Sequence, residues 1–151
     1  MKAVVQRVKK CSVRIGGELT SDIGPGMLIL LGVHKEDREE DAEELAEKCM
    51  KLRIFDDGAG KMNLSVKDIG GNAMVVSQFT LYGDASKGNR PNFMRSAKPE
   101  LAKRLYEHFI SYLEKLLGKA KVSSGMFGEM MDVELVNDGP VTIIIETKEN
   151  A

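Results

Sequence analysis

The sequence predicts an α+β fold in a single domain spanning residues 1–151, and three observations predict it. The elements run strands, helix, strand, helix, strands, with no pair of long βαβ units, which disfavours a doubly wound sheet. The length of 151 residues fits one domain of ordinary size, able to bury roughly 70% of its unfolded surface. Apolar residues are 42% and charged residues 30%, the balance of a folded domain rather than a disordered one.

Each element follows from local pattern. Val4, Gln6 and Val8 alternate with Ala3, Val5 and Arg7, which is strand periodicity. Val13–Ile15, the pair Gly16-Gly17 and Glu18–Thr20 read as a β-hairpin with a two-glycine turn. Gly24-Pro25-Gly26 is a loop. Met27–Val33 is a continuous apolar run suited to a buried strand. From Glu36 to Arg53, Ala42, Leu45, Ala46, Cys49 and Leu52 recur at helical spacing. Phe55–Met62 carries turn chemistry around two glycines, and Asn63–Ser65 connects onward.

Asn72–Tyr82 is expected as one strand, followed by a loop from Gly83 to Asn92. Pro99–Leu117 forms the second helix, with Leu101, Leu105, Phe109, Tyr112 or Leu113, and Leu116 as its buried stripe and Pro99 in its first turn. Ala120–Ser123 and Glu129–Val136 read as strands, Asn137–Pro140 as a turn and Val141–Glu146 as the last strand. Lys148–Ala151 is expected to fray.

Charge and cysteine usage narrow the function classes. Twenty-two Lys and Arg against 23 Asp and Glu give a net charge of −1, which excludes a globally basic coat protein but permits a local basic patch. Cys11 and Cys49 form no CxxC pair and are read as reduced thiols. The apolar run Met27–Leu31 is far too short to span a bilayer, and the N-terminal alternation lacks a secretory apolar stretch. Membrane insertion and export are therefore disfavoured, and a cytoplasmic protein is expected.

Several enzyme classes lack their residues. No G-x-S-x-G, GxxxxGK[ST] or GxGxxG motif is present. His34 and His108 are the two histidines, and both read as structural or exposed. No His/Cys cluster suits zinc. Glu36–Glu47 carries eight acids and one base, a net of −7, read as a solvated helix face because a helix splays its carboxylates around its circumference. No metal or cofactor is expected.

Small polar residues on strand ends remain. Strict alternation places Ser77, Phe79 and Leu81 on one face and Gln78, Thr80 and Tyr82 on the other. Burying Gln78 and Thr80 unpaired would be costly, so they either line a cleft or face solvent at a sheet edge. Asp84–Arg104 holds six bases and two acids, a net of +4 beside that strand end. It suits a phosphate-bearing ligand, or is a solvated loop and helix start. Gly139-Pro140 is a bond that adopts the cis form far more readily than ordinary peptides do, although most such turns are trans and structural.

These segments resemble the D-aminoacyl-tRNA deacylase family. Ser77-Gln78-Phe79-Thr80-Leu81 matches its SQFTL motif, and Asn137-Asp138-Gly139-Pro140-Val141-Thr142 its NxGPVT motif. Met1–Val8, Phe55–Asn63 and Lys87–Pro91 support the match, which runs nearly end to end. The resemblance implies a homodimer whose α+β core is barrel-like, with mixed β-sheets and two main helices packed on it. It implies hydrolysis of the ester of D-aminoacyl-tRNA, and of glycyl-tRNA mischarged on tRNA(Ala), with L-aminoacyl esters rejected.

It further implies that Gly139-Pro140 is cis and crosses into the partner's active site as the chiral filter. Within that frame Ser77, Gln78, Phe79 and Thr80 are the candidate catalytic residues. Arg7 is a candidate to hold the Gly-Pro segment through its guanidinium. Asn137 belongs to the same filter, and Phe127 and Met130 are candidate pocket walls, although such residues are more often core. Lys87 and Arg90 are candidates for tRNA phosphates. The alternatives are a non-catalytic tRNA or RNA-binding module, a general aminoacyl esterase or peptidyl-tRNA hydrolase, and a structural dimer without ligand.

Overall fold

The computed structural model describes residues 1–148. Eight strands and two long helices form it: β1 (Lys2–Ile15), β2 (Glu18–Ile23), β3 (Gly26–Gly32), α1 (Glu39–Lys51), β4 (Phe55–Asp56), β5 (Met62–Leu64), β6 (Asn72–Ser77), α2 (Pro99–Leu117), β7 (Val122–Ser124) and β8 (Asp132–Glu146). Six strands make one mixed, nearly closed sheet in the order β2-β1-β3-β6-β7, with β8 on β1, while β4 and β5 pair separately.

The long strand β1 is the organiser. Its first half pairs antiparallel with β3 (Lys2↔Gly32 to Val8↔Gly26) and its second half with β2 (Cys11↔Ile23 to Ile15↔Glu18). Along the opposite edge it pairs with β8 from Lys2↔Glu146 to Arg14↔Asp132. Gly16 and Gly17 turn the β1–β2 hairpin with φ of 58° and 84°, the left-handed conformation this turn requires. Strand β6 runs parallel to β3 and to β7. A Cβ at Gly26 would lie 1.8 Å from the Asn72 carbonyl oxygen, so only glycine admits this close start to the parallel pair.

Two apolar clusters flank the sheet. Met27, Ile29 and Leu31 join Val5, Leu45, Leu105, Phe109 and Leu113 beneath the helices. Leu28 joins Val8, Cys11, Val13, Met74 and Val76 on the other face. Strand β3 is therefore buried on both sides, which accounts for its unbroken apolar run.

Polar contacts align the helices. Arg104 lies 3.5 Å from Glu39, His108 3.4 Å from Glu43, and the Tyr112 hydroxyl donates to Glu47 at 2.8 Å. Part of the acidic face of α1 thus meets α2 rather than bulk water. A second polar anchor joins the Met1 ammonium to the buried Asp37 carboxylate at 2.9 Å, and Asp37 also accepts the His34 N–H at 2.6 Å.

Four expectations are corrected. The strand expected over Asn72–Tyr82 stops at Ser77, and Phe79–Tyr82 coils into a 3-10 turn. The expected turn at Asn137–Pro140 is an irregularity inside the continuous β8, where the register to β1 shifts around Val8. Lys148, expected to fray, lies 3.2 Å from Asp41 and 3.9 Å from Asp37; the rest of that expectation, residues 149–151, lies outside the described residues. The first helix starts at Glu39 rather than Glu36, because the Arg38 N–H donates to Asp41 Oδ2 at 2.8 Å and the residues before it turn around Asp37.

Candidate active site at the end of β6

A cleft of about 700 Å³ opens where β6 ends, a size suited to a small-molecule moiety. Ser77, Gln78 and Phe79 form one side of it. The Gln78 N–H donates to the Leu31 carbonyl at 2.7 Å, one last sheet-like bond, and the Leu81 N–H then turns back to the Gln78 carbonyl at 3.3 Å. Phe79 and Thr80 open the turn, so their N–H groups lie outside its internal hydrogen bonds. Two consecutive backbone donors are thus presented at a strand end.

Coiling reassigns the side chains from the alternation expected of a strand. Tyr82 is fully buried, whereas Phe79 is 55% exposed and sets its ring edge-on to Phe93 at 5.1 Å. The Thr80 hydroxyl oxygen accepts from the Gln78 side-chain amide at 2.6 Å. An amide donor is no base, so nothing in this contact activates Thr80 as a nucleophile.

Neighbouring segments hold the turn in place. A Cβ at Gly32 would come within 3.1 Å of both the Gln78 carbonyl and Leu81 Cβ, so glycine lets the turn rest on the end of β3. Ser96 donates from Oγ to the Phe79 carbonyl at 3.1 Å. The loop Gly83–Asn92 is fastened at its base by paired backbone bonds between Asp84 and Asn92, at 2.8 and 3.0 Å. Lys87 and Arg90 stand exposed on that loop, outside the cleft lining.

The opposite wall comes from the segment between β7 and β8. Phe127 is half-buried and tilts against Tyr106 at 5.9 Å, while Met130 is 89% exposed at the rim. Tyr106 Oη lies 3.1 Å from the Val75 carbonyl and 2.9 Å from the Gly125 carbonyl, tying this wall to β6. Burial pushes its phenol up to about 12, so it stays protonated as a donor. Lys98 and Glu129 are the two ionisable side chains that line the cleft. Among the described residues no group of His, Cys, Asp and Glu could hold a metal ion.

Gly139 and Pro140 do not line this cleft. They lie in β8, joined by a cis peptide bond, with Gly139 at φ +140°. Arg7 is almost entirely buried beside them. Its Nε donates to the Asp138 carbonyl at 2.9 Å and its Nη1 to the Ile54 carbonyl at 2.7 Å, and Asp56 and Asp138 carboxylates lie 3.4 and 3.6 Å away. Asn137 spans the irregularity, accepting the Val141 N–H at 2.9 Å and donating to Thr142 Oγ1 at 3.2 Å.

Ten of the twelve predicted residues form two groups within one chain, and Lys87 and Arg90 stand apart on their loop. Ser77, Gln78, Phe79, Phe127 and Met130 share the cleft, with Thr80 in its turn; Arg7, Asn137, Gly139 and Pro140 share the β1–β8 seam. Sequence reasoning missed Phe93 and Ser96 as parts of the cleft lining, and Tyr106 as the support behind its wall. The helical spacing of Leu105, Phe109 and Leu113 drew attention to apolar positions and away from the buried tyrosine between them.

Comparison with known proteins places these features in context. Residues 4–146 match the family model for D-Tyr-tRNA(Tyr) deacylase. A D-aminoacyl-tRNA deacylase from Shouchella clausii is 56% identical, covering 98% of this chain and 100% of that protein. The D-aminoacyl-tRNA deacylase of Halalkalibacterium halodurans is 55% identical at the same coverage. A solved structure described as a c-Myc DNA unwinding element binding protein superposes with a TM-score of 0.95 at 42% identity, covering 99% of this chain and all of that one. A second structure, of a probable eukaryotic D-amino acid tRNA deacylase, shares the fold with a TM-score of 0.80 at 15% identity, covering 95% of this chain and 97% of its own.

Proposed function

The chain belongs to the D-Tyr-tRNA(Tyr) deacylase family, and from that membership we propose that it hydrolyses the ester of D-aminoacyl-tRNA, releasing free D-amino acid and tRNA. It is a hydrolase acting on ester bonds, and its role is proofreading in translation. The observation that carries the chemistry is the pair of backbone donors at Phe79, which lines a cleft large enough for an aminoacyl-adenosine end, and at Thr80, next to it in the turn.

An aminoacyl ester is already activated, so orientation and oxyanion stabilisation suffice where a strong nucleophile is absent. In this reading the N–H of Phe79 or Thr80 faces the ester carbonyl oxygen. Ser77 and Gln78 position the terminal adenosine, Thr80 orients water, and Phe127 and Met130 wall the pocket. The terminal 2′-hydroxyl of the tRNA takes part in place of a protein base at the turn, where Gln78 and Thr80 offer no side chain of suitable basicity. Lys87 and Arg90 meet tRNA phosphates. The whole chain, residues 1–151, works as one domain in the cytoplasm.

Chirality is read by backbone. Two copies of the chain form an isologous dimer, and each carries its Gly139-Pro140 segment, held by Arg7 and Asn137, into the other's cleft. The carbonyls of Gly139 and Pro140 accept from the substrate α-amino group. With that group pinned, an L side chain runs into the wall, a D side chain points outward and glycine fits, so glycyl-tRNA(Ala) is also a substrate. The separation of Gly139-Pro140 from its own chain's cleft supports this exchange.

D-tyrosyl-tRNA and L-tyrosyl-tRNA assayed side by side, with chelator present, test the reading. Loss of the D ester alone is expected. Loss of both keeps an esterase and removes the filter. A second reading, nucleic-acid binding without catalysis, is favoured by the described role of the 42% identical solved structure. It predicts tRNA binding with neither ester cleaved.

A further inference from the structure

We infer that Lys98 binds the phosphodiester on the 5′ side of the terminal nucleoside, and so sets how the aminoacyl end threads into the cleft. The inference rests on the deacylase reading and adds a residue to it. Lys98 is the single cation among the residues lining the cleft, whose surface is otherwise mainly apolar, and Glu129 is the single anion. Its ammonium has no ion pair among the described residues. Arg95, the nearest cation before it in sequence, lies over the Tyr82 ring at 5.8 Å and is engaged there.

Position and reach support the assignment. Ser96 fastens its segment to the Phe79 carbonyl at 3.1 Å, so the wall bearing Lys98 is tied to the turn that faces the ester. Lys98 follows two residues later, just ahead of α2, with an extended backbone of φ −65° and ψ 155°, so it stands at most about 7 Å farther along the wall. In an aminoacyl-nucleoside the ester and the 5′ phosphate hang from opposite sides of one ribose. A cation set that far along the wall meets the phosphate when the ester lies at the turn. Glu129 repels an anion elsewhere on the rim, which leaves one favourable direction of entry. Lys87 and Arg90 stand exposed on the loop whose base, Asp84 paired with Asn92, adjoins Phe93 of the cleft lining.

Three D-tyrosyl esters test this on the purified protein: of adenosine, which has no phosphate, of the dinucleotide cytidylyl-adenosine, which has the one phosphodiester, and of tRNA. Wild type is expected to prefer the dinucleotide over adenosine in kcat/KM. Lys98→Gln is expected to reduce that preference by about threefold to tenfold through KM, and to flatten the log–log salt dependence by about 0.7, one single-strand phosphate contact. Lys98→Arg should retain the preference. Equal losses on the adenosine and dinucleotide esters, or no loss on either, would overturn the assignment while leaving the deacylase reading standing. Failure of wild type to cleave any of the three esters would overturn the deacylase reading itself, and the assignment with it.

Discussion

Arg7 on the first strand grips the carbonyl of Asp138 on the last, at 2.9 Å, one residue before the glycine of the cis Gly139-Pro140 bond. The same guanidinium reaches the Ile54 carbonyl at 2.7 Å, so one buried cation pins β8 to the segment ahead of β4. Removing it strands two carbonyls in a site with little water. Arg7→Ala is expected to cost about 3 kcal/mol, or about 6–12 °C in melting temperature, with D-ester turnover lost alongside. Arg7→Lys keeps the charge but not the fork and should fall between the two. A thermal melt and a deacylation assay of both variants check this.

Gly139 is closely confined. An added Cβ would lie 2.8 Å from Val141 Cγ2 and 3.3 Å from Arg7 Nη2, at a φ of +140° that side chains disfavour. Gly139→Ala should therefore displace the local backbone at a cost of about 1–3 kcal/mol, leaving the fold intact by circular dichroism. D-ester hydrolysis should drop by about tenfold or more, the equivalent of 1.4 kcal/mol in the barrier. Unchanged turnover would remove Gly139 from the chiral filter.

The amide that touches Thr80 cannot serve as a base, and the proposed mechanism draws on the substrate's terminal 2′-hydroxyl at this point. A D-aminoacyl-tRNA ending in 2′-deoxyadenosine should react slowly, by about a hundredfold, the lower end of general-base contributions. Single-turnover comparison with the ribose form gives the answer, and normal turnover would eliminate the 2′-hydroxyl from the mechanism.

Stability should depend on pH through His34. Its ring is buried and its Nδ1 accepts the Glu36 N–H at 3.1 Å, an acceptor role lost on protonation. Burial pushes the imidazole below its ordinary 6.5, against the pull of the Asp37 carboxylate. A histidine depressed in the folded state stabilises fully above its unfolded value and loses that contribution as pH falls. Melting temperature should therefore decline as pH is lowered from 7 toward 5. His34→Asn, whose Oδ1 can replace the Nδ1 acceptor, should flatten the histidine part of the profile.

Both cysteines are buried, and burial raises Cys11 to about 11 and Cys49 to about 12. Thiolate is then scarce at neutral pH. Maleimide at pH 7.5 should label neither in the native protein and both after denaturation. Rapid native labelling would mean that one of the two clusters opens readily.

Where local pattern and tertiary context agree, the sequence was legible. The helix Pro99–Leu117 was read to its ends because its apolar spacing and its first-turn proline report the same boundary. Strand β3 was legible because burial on both faces leaves an unbroken apolar run. The end of β6 was not, since Phe79–Tyr82 is as β-prone as the strand before it. What coils it is the loss of a neighbour: after Gln78 meets Leu31, β3 reaches Gly32 and the ladder ends. The bend at Asn137–Pro140 looked like a reversal, because a Gly-Pro pair marks turns locally. The chain instead continues along β1, whose length is not visible from residues 137–140. The two site groups were named from motifs, but their distribution between cleft and seam needed the fold.

The pairing of β1 with β8 has a consequence for synthesis. The N-terminal strand emerges first, yet one whole edge of it waits for residues 132–146. At typical elongation rates that delay is on the order of ten seconds, and closing so long a chain segment is entropically slow to start. In a nascent chain stopped before Asp132, Arg7 has no Asp138 carbonyl to hold and the edge of β1 that pairs with β8 is bare. Strand β8 closes that edge, and the exposed edge before its arrival is where a ribosome-bound chain is most open to pairing with the wrong neighbour.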